Sequence, residues 1–266
     1  MTLLDVPFWL AALLLFAVGA LSAALNVVAG GGSFLALPVM IFLGLPATVA
    51  NGTNRIAILA QNVAAVWGFQ RHRLVAWDLL SSAAVPAVVG AGLGTWAAIE
   101  IGDETFRRTL AVIMVAISLW SLWDSPGRRD PESPGAQRGE AGRLREGDRL
   151  GRTGVAIAFF LAGFYGGFVQ AGVGFLLLTA TTQAGLDLVR GNALKVLVIL
   201  AFTPLSLALF ALGGKVAWGM GAALAAGSVL GALVGVRLTV LKGDRWVRQV
   251  VTVTVIAFAV LLWLGP

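Results

Sequence analysis

The sequence matches itself at one fixed offset without a gap, and a chain built that way is expected to make the same fold twice. The offset is 141 residues, the step from Phe34 to Phe175, and the match runs from about Val28 to about Ala116. Phe34-Leu35-x-Leu37 meets Phe175-Leu176-x-Leu178, and Gly44-Leu45 meets Gly185-Leu186. Asn51 meets Asn192, and Ile58-Leu59-Ala60 meets Ile199-Leu200-Ala201. Val75-Ala76-Trp77 meets Val216-Ala217-Trp218, and Gly102-Asp103 meets Gly243-Asp244. Each copy carries near its start an apolar helix broken by glycine. In a membrane protein such paired breaks point to a transporter with its site between the halves.

The membrane assignment follows from the scarcity of charge. Charged residues make up 12% of the chain and hydrophobic ones 58%, whereas a soluble domain carries about 25% charge. Apolar runs lie at 8–28, 56–69, 79–99, 110–123, 155–169, 196–212, 217–236 and 250–264. About 20 residues cross roughly 30 Å of hydrocarbon, and the shorter runs reach that length with their weakly polar flanks. No alternating ten-residue pattern of an outer-membrane barrel is present. An all-α polytopic fold is expected. Residues 1–24 end in Ser22-x-Ala24, which has the form of a signal-peptide cleavage site. The stretch carries Asp5 and no Lys or Arg, so a first membrane helix is expected there.

The net charge of +6 reflects Lys and Arg in loops, as the positive-inside rule requires. No basic face is interleaved with base-stacking aromatics, so nucleic acid is not an expected partner. Zero cysteine and a single His exclude disulfides, thiolate metal sites and His-rich metal sites. No cofactor is expected. The expected partners are a small anionic substrate and the bilayer. A coupling H+ or Na+ and assembly as a homodimer stay open.

Residues 124–152 hold seven Arg, six acids, and Pro126, Pro131 and Pro134, with almost no large apolar residue. Such a segment cannot build a core and is expected to be a flexible linker. The organisation is therefore a first membrane repeat at 1–123, a cytoplasmic linker at 124–152 and a second repeat at 153–266. The stretch 30–70 and its counterpart 172–212 each fit two crossings, or one crossing plus a re-entrant excursion. Each copy thus has four to five membrane segments. With the embedded cations Arg55, Arg190, Lys195 and Arg237 set aside, four crossings per copy divide the loop cations ten to five. Five crossings divide them twelve to three, a stronger bias. An odd number puts the second copy upside down. Corresponding loops do swap charge: Arg71-His72-Arg73 faces neutral Leu212-Gly213-Gly214. An inverted repeat is expected, with a parallel four-plus-four repeat as the alternative.

Two segments carry chemistry. In Asn26-Val-Val-Ala-Gly30-Gly31-Gly32-Ser33-Phe34, the glycines end one helix and allow close backbone approach. The N–H groups and positive dipole end of the next helix favour an anion; tight helix packing is the plainer reading. The pattern recurs as Gln170-Ala-Gly172-Val-Gly174-Phe175. The second segment is Asn51-Gly-Thr53-Asn54-Arg55, answered by Gly191-Asn192-Ala-Leu-Lys195. Charged groups inside a membrane usually face the bundle interior or a cavity. Arg55 and Lys195 are therefore candidates to bind a small anion, against snorkelling to an interface or pairing with Asp187. Asn51 and Asn192 are candidates to orient the substrate or to pin the broken backbone. Gln61, Asn62, Thr179, Thr181, Thr182 and Gln183 are weaker candidates. Gly90-x-x-x-Gly94, and Gly227, Gly231 and Gly235, are expected to be packing faces. Trp77 and Trp218 are expected at interfaces.

The arrangement Gly30-Gly31-Gly32-Ser33-Phe34-Leu35-x-Leu37-Pro38, then Ala50-Asn-Gly-Thr-Asn54, with a second glycine break after a polar linker, resembles the TauE/SafE (sulfite exporter-like) family. Gly30, Gly31, Gly32 and Pro38 match its first motif, and Gly172 and Gly174 the second. Val173 interrupts the second glycine run, and Thr179 stands where a proline is expected. The resemblance implies a secondary carrier of small sulfur-containing anions such as sulfite or sulfoacetate, often an exporter. A multi-pass location in a bacterial inner membrane goes with it. No P-loop is present, so the energy source would be an ion gradient or the substrate's own. An anion channel and an importer of another small organic anion are the alternatives. No nucleophile, acid pair or metal cluster suggests an enzyme.

Overall fold

The computed structural model describes residues 7–123 and 152–264. Among them every regular element is helical. In chain order these are α1 (Phe8–Val28), α2 (Ser33–Phe42), α3 (Ala47–Arg71), a 3-10 turn (Trp77–Leu79), α4 (Leu80–Glu100) and α5 (Asp103–Trp123). After the linker come α6 (Arg152–Phe168), α7 (Val173–Gln183), α8 (Leu188–Leu212) and α9 (Trp218–Leu264). The backbone of α9 breaks at Gly243 (φ 68°, ψ −168°), so it is two helices end to end. The linker expected at 124–152 lies outside the described residues except for Arg152, which opens α6.

The boundaries of α3 and α8 follow the sequence offset. α3 and α8 are both 25 residues long, and each end of α8 lies 141 residues beyond that of α3. The turns before them are built alike: Gly44 (φ 96°) and Gly185 (φ 94°) adopt the left-handed conformation that ends α2 and α7. Pro46 then precedes α3, and Asp187 caps α8 by accepting the N–H of Arg190 at 2.8 Å.

Among the described residues four helices are long and apolar enough to cross a membrane: Phe8–Val28, Trp77–Glu100, Leu188–Leu212 and Trp218–Gly243. α2 and α7 are not. The 10 residues of α2 rise about 15 Å, half the hydrocarbon thickness. The stretch 30–70 is thus one short helix and one long one. α3 keeps a polar face, with Asn51, Thr53, Asn54, Arg55, Gln61 and Asn62 all buried. Large apolar side chains face outward instead, among them Trp9 and Leu13 of α1, Val89 and Trp96 of α4, and Leu230 and Val234 of α9. That belt suits lipid contact.

The two copies are interleaved. α1 packs mainly on α9 of the second copy, and α6 mainly on α4 of the first. Both pairs run parallel: Phe16 lies beside Gly227, Ala20 beside Gly231 and Ala24 beside Gly235. Likewise Ala87 lies beside Gly163 and Ala91 beside Gly167. The expected glycine faces are therefore packing surfaces on which backbones touch. A Cβ on Gly90 would strike the Phe160 carbonyl, and one on Gly231 the Ala20 carbonyl. Gly90→Ala and Gly231→Ala are each expected to cost about 1–3 kcal/mol, read as a lower thermal midpoint in detergent. Gly92, which among the described residues meets only the end of Leu205 at 3.4 Å, should tolerate alanine.

Contacts along α3 fix the levels of two loops. Asp103, just past α4, accepts the Thr48 backbone N–H (2.9 Å) and hydroxyl (3.0 Å). Ala217, just before α9, donates its N–H to the Thr53 hydroxyl at 2.9 Å. α9 therefore begins near the level at which α4 ends.

Candidate functional site

The site is built from two helix ends that stop inside the protein. α1 ends at Val28 with Asn26, Val27 and Val28 buried, and α6 ends at Phe168 with Gly166 and Gly167 buried. A helix C-terminus leaves its last carbonyls without intrahelical partners. In hydrocarbon each unsatisfied backbone group costs several kcal/mol. Something in the fold has to bond them.

The two embedded cations do so. Arg55 of α3 is fully buried and donates to the carbonyls of Gly166 (2.6 Å) and Gly167 (2.7 Å). It also donates to Oε1 of Gln170, and its guanidinium lies 5.3 Å from the centre of the Phe210 ring. Asn51, one turn earlier, donates to the Phe168 carbonyl at 2.8 Å. At the other junction Lys195 of α8, also fully buried, donates to the carbonyls of Asn26 and Val27, both at 3.0 Å. Its third proton goes to Oδ1 of Asn192 at 2.6 Å. Asn192 donates in turn to the Val28 carbonyl at 3.1 Å. Each copy thus supplies one cation and one asparagine to the first helix of the other copy. Arg55 and Lys195 are one residue out of register in the repeat, yet they hold equivalent helix ends.

The glycine breaks meet one another between these junctions. Gly30 (φ 96°) lies against Gly174, so closely that a Cβ on either would overlap the other's backbone. Phe34 and Phe175, partners in the repeat, stack beside them with centroids 6.4 Å apart. Gly32 presses on Ser22, whose hydroxyl donates to the Gly32 carbonyl at 2.6 Å. Ser33 accepts from Nδ2 of Asn54 at 3.2 Å, and Gly31 accepts from Phe34 N at 3.1 Å. Gly172 (φ 77°) precedes α7 in the left-handed conformation. The hydroxyl of Thr53 is engaged by Ala217, away from the breaks.

The junction at α6 has bonding capacity to spare. Among the described residues, Nε of Arg55, Nε2 of Gln170 and Oδ1 of Asn51 are buried without a hydrogen-bond partner. Two of the three are donors. Gln170 also adopts φ 68°, a conformation that costs a non-glycine residue on the order of 1–3 kcal/mol and tends to persist at functional sites. Lys195, by contrast, has all three protons engaged. Gln61 and Asn62 are buried further along α3, with Nε2 and Oδ1 respectively unpartnered among the described residues. Thr181 and Thr182 bond to carbonyls of their own helix. Arg190 is exposed and pairs with Asp187. Among the described residues no cluster of His, Asp and Glu could hold a metal ion.

Comparison with known proteins agrees with this architecture. The family described as Sulfite exporter TauE/SafE matches residues 15–262. The chain belongs to the TauE/SafE family. A "Probable membrane transporter protein" of Haemophilus influenzae is 29% identical over 250 residues, covering 90% of this chain and 89% of the relative. The "Probable membrane transporter protein YfcA" of Escherichia coli K12 is 28% identical over 251 residues, covering 94% and 88%. The "Probable membrane transporter protein ORF9" of a Sinorhizobium species is 26% identical over 265 residues, covering 98% and 95%. No solved structure matches the chain significantly. This TauE/SafE protein is a multi-pass membrane transporter.

Several site residues of this TauE/SafE protein lay outside the sequence expectations. Ser22 and Asn26, one helical turn apart on α1, put a hydroxyl and a carbonyl at the first break. Tyr165, the chain's single tyrosine, donates its hydroxyl to the Ala171 carbonyl at the second break. Thr95 donates to the Gly167 carbonyl (3.1 Å) and lies 2.9 Å from the Ser206 hydroxyl. The available signal was a polar residue set alone in an apolar run.

Proposed function

We propose that this protein is a secondary transporter that exports a small sulfur-containing anion, such as sulfite or an organosulfonate, across a bacterial inner membrane by alternating access. The observation that carries the reading is a buried centre with two cations and, among the described residues, no buried carboxylate. The described ion pairs, Arg107–Glu104, Arg108–Glu104 and Arg190–Asp187, are at the surface. Helix ends contribute about −0.5 charge at each C-terminus and about +0.5 at each N-terminus. The C-termini of α1 and α6 and the N-termini of α2 and α7 therefore offset one another. The centre keeps roughly the two positive charges of Arg55 and Lys195, and an anion would neutralise them.

In this reading the anion sits at the α6–α7 break, bonded by Nε of Arg55 and Nε2 of Gln170, with Gly172 and Gly174 at the helix start. Lys195 acts at a distance through its charge, since its protons already bond α1 and Asn192. Gly30–Ser33 and Asn54 shape the opposite wall. The sulfur class rests on the family's description. Export agrees with the membrane potential, which favours an anion leaving a negative interior by about 2.3 kcal/mol per charge per 100 mV.

The two copies form an inverted repeat in this proposal. Support comes from α9 starting near the level where α4 ends, and from five α-helices per copy among the described residues once α9 is divided at Gly243. Because α1 packs on α9 and α6 on α4, the moving units would be mixed, each holding the first helix of one copy and the fourth of the other. The site residues are sealed as they stand, with Asn51, Arg55, Asn192 and Lys195 at 0% exposure, which suits an occluded state.

A binding screen on the purified protein tests the substrate class. Sulfite, sulfoacetate, taurine, sulfate and acetate would be titrated calorimetrically. Sulfite or sulfoacetate should bind at least tenfold more tightly than acetate or zwitterionic taurine. Equal affinity across the set, or preference for taurine, would remove the sulfur-anion reading.

A further inference from the structure

Arg237 is the embedded cation that the central site leaves unused. It lies on α9, 6 residues before the break at Gly243, and its side chain is exposed. Neither it nor Arg71 belongs to an ion pair among the described residues. Both line one cavity of about 290 Å³ between the end of α3 and α9, together with His72. No acid lines it. The remaining wall is apolar and includes Trp67, Leu233 and Val240. The Arg71 guanidinium lies over the Trp67 ring, 3.6 Å from its centre, which fixes the charge at the groove's edge. A bare charge on a lipid-facing helix is costly, so a groove with two of them calls for an anion.

The side of the membrane narrows the choice. α3 and α5 start together at the Thr48–Asp103 contact, and the groove lies at the far end of α3. The linker with seven Arg follows α5. The positive-inside rule makes that side cytoplasmic, where the leaflet is anionic and basic pockets between membrane helices bind lipid head groups. We propose that this groove holds an anionic phospholipid, its phosphate between Arg71 and Arg237 and an acyl chain along Leu233 and Val240. The apolar wall favours a lipid over free phosphate, to which it offers nothing. The site is independent of the central one.

Native mass spectrometry of the delipidated full-length protein tests it, with phosphatidylglycerol or phosphatidylcholine added back. Phosphatidylglycerol should be retained at one per chain with at least tenfold higher affinity than phosphatidylcholine. The double variant Arg71→Gln/Arg237→Gln should lose that preference, and Arg71→Lys/Arg237→Lys should keep it. Equal retention of the two lipids overturns the proposal, as does a preference that survives the glutamine pair. Displacement of the lipid by glycerol 3-phosphate at comparable affinity would make it a site for free phosphate and overturn it too. So would loss of the groove to a second copy, seen as dimers that take up no lipid. If the double glutamine variant does not fold, Arg237→Gln alone is judged by the same preference.

Discussion

Lys195→Met and Arg55→Met are each expected to weaken anion binding about a hundredfold. Each removes one of two positive charges that no buried carboxylate balances among the described residues. A unit charge about 6 Å from an anion, as for Lys195, contributes about 3 kcal/mol at an effective dielectric near 20, or two decades in Kd, and Arg55, which bonds the anion in this account, contributes at least as much. Methionine keeps most of the volume, so the loss is electrostatic and not a cavity effect. The two variants should differ in stability. Lys195→Met orphans the carbonyls of Asn26 and Val27 and Oδ1 of Asn192, at roughly 1–3 kcal/mol for each buried acceptor. Relief of a buried charge offsets part of that. Arg55→Met leaves Asn51 and Thr95 still bonding the end of α6, and should be the milder. Calorimetric titration alongside thermal melting separates the two effects. An unchanged Kd in both variants, with normal folding, would remove the cations from the binding account.

Gly30→Ala and Gly174→Ala are expected to abolish transport, with at least a hundredfold lower rate. The added methyl would overlap the other break's backbone, which has no side chain to swing aside. At Gly30 the left-handed backbone (φ 96°) adds about 1–2 kcal/mol for any L-residue. The breaks would be forced apart, and the packing of Phe34 on Phe175 with them. Gly102→Ala is the control, since among the described residues nothing lies within 4 Å of a Cβ there and its φ is not positive. Transport rates in proteoliposomes and melting midpoints would show the contrast. Wild-type activity in Gly174→Ala would mean that the breaks need not touch.

Much of the architecture was legible because hydrocarbon tolerates few solutions. The apolar runs at 8–28, 79–99, 196–212 and 217–236 marked the four helices that are long and apolar enough to cross among the described residues, and the offset between Phe34 and Phe175 predicted matched helices, as α3 and α8 are. Gly90 and Gly231 were readable as packing faces because small residues at fourfold spacing on a membrane helix have little other use. The positions of Arg55 and Lys195 were readable for a similar reason: an embedded charge needs an interior partner. What that partner would be was not readable. The carbonyls of Gly166 and Val27 have no side-chain signature, and any residue at those positions would present them. Nor did the repeat reveal that α1 and α6 cross over to pack on the other copy. The glycine faces of α4 and α9 fit any helix with a smooth surface, and only the folded chain shows which one. Arg237 illustrates the limit from the other side. Its embedded position was plain, but not that it faces outward into a groove shared with Arg71.

The most direct test of the transport account is counterflow. Proteoliposomes holding the purified protein and unlabelled sulfite would be diluted into a trace of labelled sulfite, at controlled membrane potential. The account predicts transient, saturable accumulation of label, accelerated by the internal anion, sensitive to the potential and lost in Lys195→Met. Flux that rises without saturation and ignores the internal anion would contradict alternating access and leave a channel in its place.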